Sequence, residues 1–207
     1  MVMLLRTLAL FILLALSALP AFGAPTPRPF CGEGLLIIRP FTPERDHDIR
    51  ALAIYAEPGV ERVTELDSGK LPSLAQVIEG RSGEATLAVM GKKGNWLRVA
   101  YDEAGHEGWL EMPRYWEYSP WRVFLKGRRA RLLPGLKKEF YLLRREPSST
   151  SPQLDTLSRQ KNLRIIEIRD EWALVLADLT TPGWLRWKDN DGRFTISVDN
   201  PFESQND

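Results

Sequence analysis

The chain has 207 residues, 43% of them hydrophobic and 27% charged, with 28 Lys and Arg residues against 27 Asp and Glu residues. This balance is typical of a folded globular chain and excludes a disordered polyelectrolyte. It also disfavours a nucleic-acid binder, because the chain has no broad excess of basic residues to contact phosphates. One cysteine and two histidines exclude an intramolecular disulfide and a thiolate-rich zinc site, so we expect no metal and no cofactor.

Residues 1–23 have the pattern of a secretory signal peptide. Arg6 precedes an apolar run over residues 8–16, and Ala21 and Gly23 supply small residues before a cleavage point at Ala24. The apolar core is shorter than the ~20 residues that span a bilayer, so we expect cleavage and no stable membrane span. This pattern predicts a periplasmic or secreted protein.

Export places Cys31 in an oxidising compartment. Because it is the only cysteine of the chain, two interpretations stay open. The thiol is either partly buried and unreactive, or it forms an intermolecular disulfide that links two chains in a dimer.

Short strands dominate the predicted secondary structure after the signal peptide. In chain order, we expect strands at residues 35–38, 49–56, 86–90 and 96–101, and another that begins at residue 109. Ser73 is followed three residues later by Gln76, a capping-box pattern that predicts a short helix within a long loop. Ser151 and Pro152 predict a second short helix.

The second half of the chain repeats the first. Four pairs of positions are separated by the same 76 residues: Pro58-Gly59 and Pro134-Gly135, Leu87 and Leu163, Trp96 and Trp172, and Val99 and Val175. The tripeptide Gly108-Trp109-Leu110 returns after 75 residues as Gly183-Trp184-Leu185. Shared offsets of this kind predict a tandem duplication, with its seam within residues 113–120.

In each copy, a strand that contains tryptophan is followed by a polar turn and the tripeptide Gly-Trp-Leu. These motifs, at 95–99 with 108–110 and at 171–175 with 183–185, resemble a bacterial SH3 domain, as does the opening segment 54–59. The resemblance implies an all-β chain with two tandem small five-stranded SH3-like barrels, each with a long early loop that holds a short helix.

The signal-peptide pattern, the resemblance and the segments between them together give the domain limits. They are a signal peptide at 1–23, an N-terminal leader and first strand at 24–49, an SH3-like domain at 50–115, an aromatic linker at 116–121, a second SH3-like domain at 122–198 and a polar tail at 199–207.

Alternation along residues 96–101 places Leu97, Val99 and Tyr101 on one face, which we expect to be the core, with Ala173, Val175 and Ala177 as their counterparts. Trp96 and Trp172 then lie on the opposite face. The resemblance implies that this face binds a ligand, and the alternative is that the tryptophans pack under the long loop.

Aromatic residues supply the candidate sites, because tryptophan offers a flat apolar surface and one N–H donor. The candidate ligand-binding residues are Tyr55, Trp96, Trp109, Trp172 and Trp184. The second copy has Arg131 to Pro134 where the first has Tyr55. Four further aromatic residues, Tyr115, Trp116, Tyr118 and Trp121, either join the two domains or form an exposed binding patch.

Three other patterns have simpler interpretations. Asp46, His47 and His106 are the available catalytic side chains, but no adjacent base activates Cys31, and we expect no enzyme. Residues 189–192 resemble the start of a calcium loop without its distal Glu, and a type I′ turn is the better interpretation. The basic residues 126–131 form either a solvated face or a contact with an anionic polymer or lipid.

We therefore expect an exported, non-catalytic tandem binding module. Its ligand belongs to the cell envelope and is either peptidoglycan, bound through its peptide, or an extended segment of an envelope protein. The alternative function is a structural or accessory subunit that assembles with another envelope protein. Exposed linker aromatics or a dimer linked through Cys31 would favour that alternative.

Overall fold

The computed structural model describes residues 28–38, 51–67, 70–79 and 84–199. The predicted signal peptide, the candidates Asp46 and His47 and residues 200–207 of the predicted tail lie outside these ranges. Within them the protein is nearly all β, as predicted, and is built from two seven-stranded antiparallel sheets.

The first sheet has the spatial strand order β3-β2-β6-β5-β4-β1-β7. Its strands are β1 (Gly34–Ile38), β2 (Ala51–Tyr55), β3 (Arg62–Asp67), β4 (Ala85–Lys93), β5 (Trp96–Ala100), β6 (Glu107–Glu111) and β7 (Glu117–Pro120). Helix α1 (Trp121–Phe124) follows β7 directly and leads into the second sheet.

The second sheet has the order β10-β9-β13-β12-β11-β8-β14. Strands β8 to β14 therefore occupy the same positions in this sheet as β1 to β7 do in the first. Its strands are β8 (Arg129–Leu132), β9 (Leu142–Arg144), β10 (Gln153–Thr156), β11 (Leu163–Arg169), β12 (Trp172–Ala177), β13 (Thr181–Arg186) and β14 (Ile196–Val198). A 3₁₀ helix (Lys138–Tyr141) precedes β9. Pairing within the described ranges closes neither sheet into a barrel.

The core faces follow the alternation read from the sequence. Leu97 and Val99 are fully buried in the first sheet, as are Ala173 and Val175 in the second. Both sheets also carry a β-bulge at the same place, since the register shifts between Val89 and Gly91 and again 76 residues later, between Ile165 and Glu167. The predicted repeat therefore holds for strands β4–β6 and strands β11–β13, which we call the central hairpins.

Both predicted short helices are wrong. Around Ser73 the chain makes a single turn at residues 75–77, in which the Ser73 hydroxyl accepts a hydrogen bond from the N–H of Ala75 at 3.1 Å. The segment after Ser151 forms β10, which pairs with β9. Local capping signals are weak, and pairing at the sheet edge outweighs them here.

One of the five sequence anchors does not correspond in the fold. Pro58-Gly59 follows β2, whereas Pro134-Gly135 follows β8, the counterpart of β1. Tyr55 lies opposite Trp109, and Arg144 lies opposite Trp184, so the counterpart of Tyr55 is Arg144 and not a residue of the segment 131–134. The offset of 76 fails there because the segment between β3 and β4, residues 68–84, is longer than its counterpart between β10 and β11, residues 157–162.

The strands of the first sheet extend beyond the predicted limits of 50–115. Strand β1 lies in the segment 24–49, predicted to hold the leader and the first strand, and pairs with both β4 and β7. Strand β7 occupies most of the segment predicted as a linker, 116–121. The connection between the two sheets is therefore helix α1 followed by residues 125–128.

The two repeats share a hydrophobic core around Trp121, which is 3% exposed. Its indole Nε1 donates a hydrogen bond of 2.7 Å to the carbonyl oxygen of Cys31. Its ring lies 5.1 Å from the ring of Phe194 and 6.0 Å from that of Trp187, both in the second repeat. Trp121 therefore packs the segment around Cys31 against the second sheet.

Two further segments of the first repeat contact the second. Phe30 forms a β-bridge with Arg193, and Ile78 forms a parallel bridge with Val198 in β14. The N–H of Val198 donates to the carbonyl of Val77 at 2.7 Å. The long loop between β3 and β4 therefore contributes an extra pairing to the second sheet, which the sequence analysis did not anticipate.

The prediction of a type I′ turn at residues 189–192 is wrong, because Gly192 is the only one of these residues with a positive φ, 75°. The N–H of Gly192 donates to the carbonyl of Asp189, which matches a type I turn closed by a left-handed glycine.

Burial raises the pKa of the Asp189 carboxyl. Hydrogen bonds from the N–H of Arg193 and from Arg28, at 2.6 Å, outweigh this effect and hold that pKa below its ordinary value.

Candidate ligand-binding site

A row of four aromatic and basic side chains crosses the outer face of the first sheet. Arg62 in β3 lies opposite Tyr55 in β2, Tyr55 opposite Trp109 in β6, and Trp109 opposite Arg98 in β5. Directly opposed residues of antiparallel strands project to the same side. Tyr55 and Trp109 are half-buried, and both arginines are exposed.

Trp96 extends this row towards the turn between β2 and β3. It lies two residues before Arg98 in β5 and so shares its face. Its ring meets that of Tyr55 edge to face, with centroids 5.2 Å apart and an interplanar angle of 88°. A Cβ placed on Gly59 would lie 3.6 Å from the indole, so the tryptophan rests beside the turn and stays half-buried.

The paired strands β5 and β6 hold these side chains in place. Gly108, on the core side of β6, leaves room for the fully buried Ile54. Arg98 is held by an ion pair with Glu107 at 3.3 Å, and its guanidinium lies 5.9 Å from the centre of the Trp109 ring. The aromatic rings are therefore positioned by paired strands and a fixed cation, and not by a mobile loop.

This face can hold an extended chain with both apolar and acidic groups. Two tryptophans and one tyrosine offer flat apolar surface and free ring edges, which suit peptides and proline-rich segments. Arg62 and Arg98 stand at the two ends of the row and can pair with carboxylates. Arg62 is engaged by Glu65 at 3.0 Å, an exposed contact that a ligand can replace.

The corresponding face of the second sheet is covered. Trp172 and Trp184 are 6% and 8% exposed. The guanidinium of Arg186 lies between the rings of Trp172 and Phe140, at 5.9 Å and 5.5 Å, and Arg169 covers Trp184 at 5.0 Å. The five predicted ligand-binding residues thus divide into an accessible set of three and a buried pair.

The matching row in the second sheet also lacks the chemistry of the first. Gln153, Arg144, Trp184 and Leu174 occupy the places of Arg62, Tyr55, Trp109 and Arg98. Both terminal arginines and the tyrosine are therefore absent from this face. The site we describe belongs to the first repeat alone.

The four aromatic residues near the seam, Tyr115, Trp116, Tyr118 and Trp121 (the seam aromatics), have different roles. Trp121 joins the repeats, but Trp116 is buried in the separate core of the first sheet, with 6% exposure. Tyr115 and Tyr118 are half-buried against that same core. An exposed patch made of all four residues is therefore wrong, and Trp121 alone packs in the core that both repeats share.

Cys31 is 1% exposed, and burial raises the pKa of its thiol. It has no disulfide partner within the described ranges. A disulfide to a second chain would require the leader to separate from the Trp121 cluster. This environment favours the interpretation of an unreactive thiol.

The remaining polar candidates lie on turns. His106 Nδ1 and Asp102 Oδ2 are 2.6 Å apart in an exposed turn, and the hydrogen bond from His106 holds the pKa of Asp102 below its ordinary value. In the part of the chain that the structure describes, no three His, Cys, Asp or Glu side chains could hold a metal ion together. No helix within the described ranges is long and apolar enough to cross a bilayer.

No family model matches this chain, and a search of curated proteins returns no significant match.

Sequence patterns identified the three aromatic residues of this face but not its two arginines. Alternation through residues 96–101 was sufficient to place Arg98 beside Trp96. Arg62 could not be placed in this way, because its position opposite Tyr55 depends on a register shift between β2 and β3.

Proposed function

We propose that the protein is an exported, non-catalytic tandem SH3-like module that binds a cell-envelope ligand on the outer face of its first repeat. The ligand is a peptidoglycan peptide or an extended segment of an envelope protein. The observation that carries this proposal is the half-buried edge-to-face pair of Tyr55 and Trp96, which lies beside two exposed arginines. The signal-peptide pattern of residues 1–23 supports export to the periplasm or beyond the cell.

The matching strand order of the two sheets supports the tandem assignment. The SH3-like character is proposed from the sequence motifs together with the central hairpins, in which Gly108 and Gly183 face the core at equivalent positions. The second repeat acts as a packed support for the first, because its own aromatic pair is covered.

The alternative, an accessory subunit, has less support. It would draw on exposed seam aromatics or on an accessible Cys31. Trp116, Trp121 and Cys31 are 6%, 3% and 1% exposed. A binding module is therefore the function that the accessible chemistry favours.

Trp96→Ala is expected to weaken binding of residues 24–207 to isolated peptidoglycan by roughly tenfold or more, because central aromatic anchors contribute most of the affinity of such surfaces. Co-sedimentation measures the bound fraction, and circular dichroism confirms that the variant is folded. Trp96→Phe should retain part of the affinity.

Leu179→Ala is the matched control, since it removes an apolar side chain that is 66% exposed in the second repeat. It should bind as the unaltered protein does. Saturable binding that survives in Trp96→Ala would contradict the proposed face. Absence of binding by the folded unaltered protein would exclude peptidoglycan and leave an envelope protein segment as the ligand.

A further inference from the structure

A groove of about 530 Å³ lies where the two repeats meet, away from the aromatic face. Strands β1 and β7 of the first sheet form one side, and strands β8 and β11 of the second form the other. Its apolar surface comes from Ile37, Val123 and Phe124. Val123 is 62% exposed, which is unusual for an apolar residue at the centre of a junction.

Basic side chains outnumber acidic ones along this groove. Lys126, Arg128, Arg129 and Arg164 line it, against Glu117 and Asp199. Asp199 already lies 3.5 Å from Arg131, which is outside the lining. The excess of two positive charges favours an anionic ligand such as a phosphate group.

Two of these arginines are placed against each other. Arg129 in β8 and Arg164 in β11 are directly opposed in the antiparallel register, and both are exposed. Like charges at opposed positions destabilise a sheet. Neither guanidinium has an ion-pair or hydrogen-bond partner among the described side chains.

Arg128 is held in place beside them. Its Nε donates to the carbonyl of Phe124 at 2.7 Å, and its guanidinium stacks on the Phe124 ring at 3.9 Å. This orientation leaves the terminal nitrogens of Arg128 available as donors. A planar guanidinium that is fixed in this way is suited to bidentate contacts with phosphate oxygens.

We propose that this groove between the repeats binds a phosphate group carried on an apolar body. Arg129 and Arg164 bind the phosphate, with Arg128 as a further donor, and the apolar part of the ligand lies against Val123 and Phe124. A bound phosphate removes the repulsion between the two opposed arginines. The site is independent of the aromatic face of the first repeat.

Arg164→Glu tests the proposal with two readouts of opposite sign. It should weaken binding about 10- to 100-fold, since a charge-assisted contact is lost and a repulsive charge is added. It should leave the thermal midpoint unchanged or raise it, because glutamate then faces Arg129 and forms a favourable cross-strand pair. Arg129→Glu is the second variant, with the same expectation.

The probes are phenyl phosphate, measured by calorimetry, and phosphatidylcholine vesicles with and without phosphatidylglycerol, measured by co-sedimentation. Arg159→Glu, which makes the same charge change at an exposed position outside the groove, is the matched control. Saturable binding of phenyl phosphate that Arg164→Glu abolishes supports a soluble phosphorylated ligand. The same loss with phosphatidylglycerol vesicles alone supports a lipid headgroup.

Failure of both probes to bind the unaltered protein would overturn the proposal, as would equal loss in Arg164→Glu and Arg159→Glu. The peptidoglycan assay with Trp96→Ala is read separately, so failure of one site does not affect the other.

Discussion

Trp121→Ala is expected to lower the free energy of unfolding by about 3–5 kcal/mol, the usual loss for a large buried aromatic residue. Trp121 is 3% exposed and is surrounded by Phe124, Trp187 and Phe194. Truncation leaves a cavity between the repeats. It also leaves the Cys31 carbonyl without the indole donor that lies 2.7 Å away.

Urea denaturation followed by circular dichroism measures this loss. Trp121→Phe should cost less, about 1–3 kcal/mol, because the ring packing is largely kept while the hydrogen bond is lost. Trp109→Ala is the matched control, since its ring is half-buried on the outer face. A loss below about 1 kcal/mol for Trp121→Ala would contradict the shared core between the repeats.

Gly108→Ala and Gly183→Ala are each expected to lower the free energy of unfolding by about 1–3 kcal/mol, the range for an overpacked core. A Cβ on Gly108 would lie 2.3 Å from Ile54 Cγ2, and a Cβ on Gly183 would lie 2.4 Å from Leu143 Cγ. Both facing side chains are fully buried, so they have no room to move aside.

A double-mutant cycle separates overpacking from other causes. Ile54→Ala removes the methyl group that the new side chain of Gly108→Ala would meet. The loss in the double variant should therefore be smaller than the sum of the two single losses, by about 1 kcal/mol or more. Gly91→Ala is the control, because its Cβ would lie at an ordinary 3.4 Å from Arg98. Additive losses would contradict the close approach.

The central hairpins could be predicted because their signals are local. Alternation through residues 96–101 placed Leu97 and Val99 in the core, and the repeated spacing predicted the same arrangement in β12. The close approach of β2 to β6 also explains why Gly-Trp-Leu recurs. Its glycine avoids Ile54, its tryptophan faces outward, and its leucine, Leu110, is buried.

Long-range packing could not be read from the sequence. The capping pattern at Ser73 predicted a helix, but Val77 and Ile78 of that segment instead pair with Val198, more than a hundred residues away. The segment after Ser151 became a strand because β9 offered an edge to pair with. Sequence patterns report local preference, and in both places tertiary pairing determined the outcome.

The candidate site was predicted in part. Trp172 was a candidate beside Trp96, but Arg186 and Phe140 cover it in the second repeat. The 3₁₀ helix that supplies Phe140 lies in a segment whose length differs between the repeats. An aromatic residue at a repeated position can therefore be accessible in one copy and buried in the other.

An NMR titration of residues 24–207 with soluble peptidoglycan fragments tests the central claim most directly, because each of the seven tryptophans contributes one indole N–H signal. Trp121 and Trp187 donate to the carbonyls of Cys31 and Asp170 and serve as internal controls. We expect saturable shifts of the Trp96 and Trp109 signals, with the control signals unchanged. Shifts confined to Trp172 and Trp184, or no saturable shift at Trp96, would contradict a ligand site on the first repeat for this ligand.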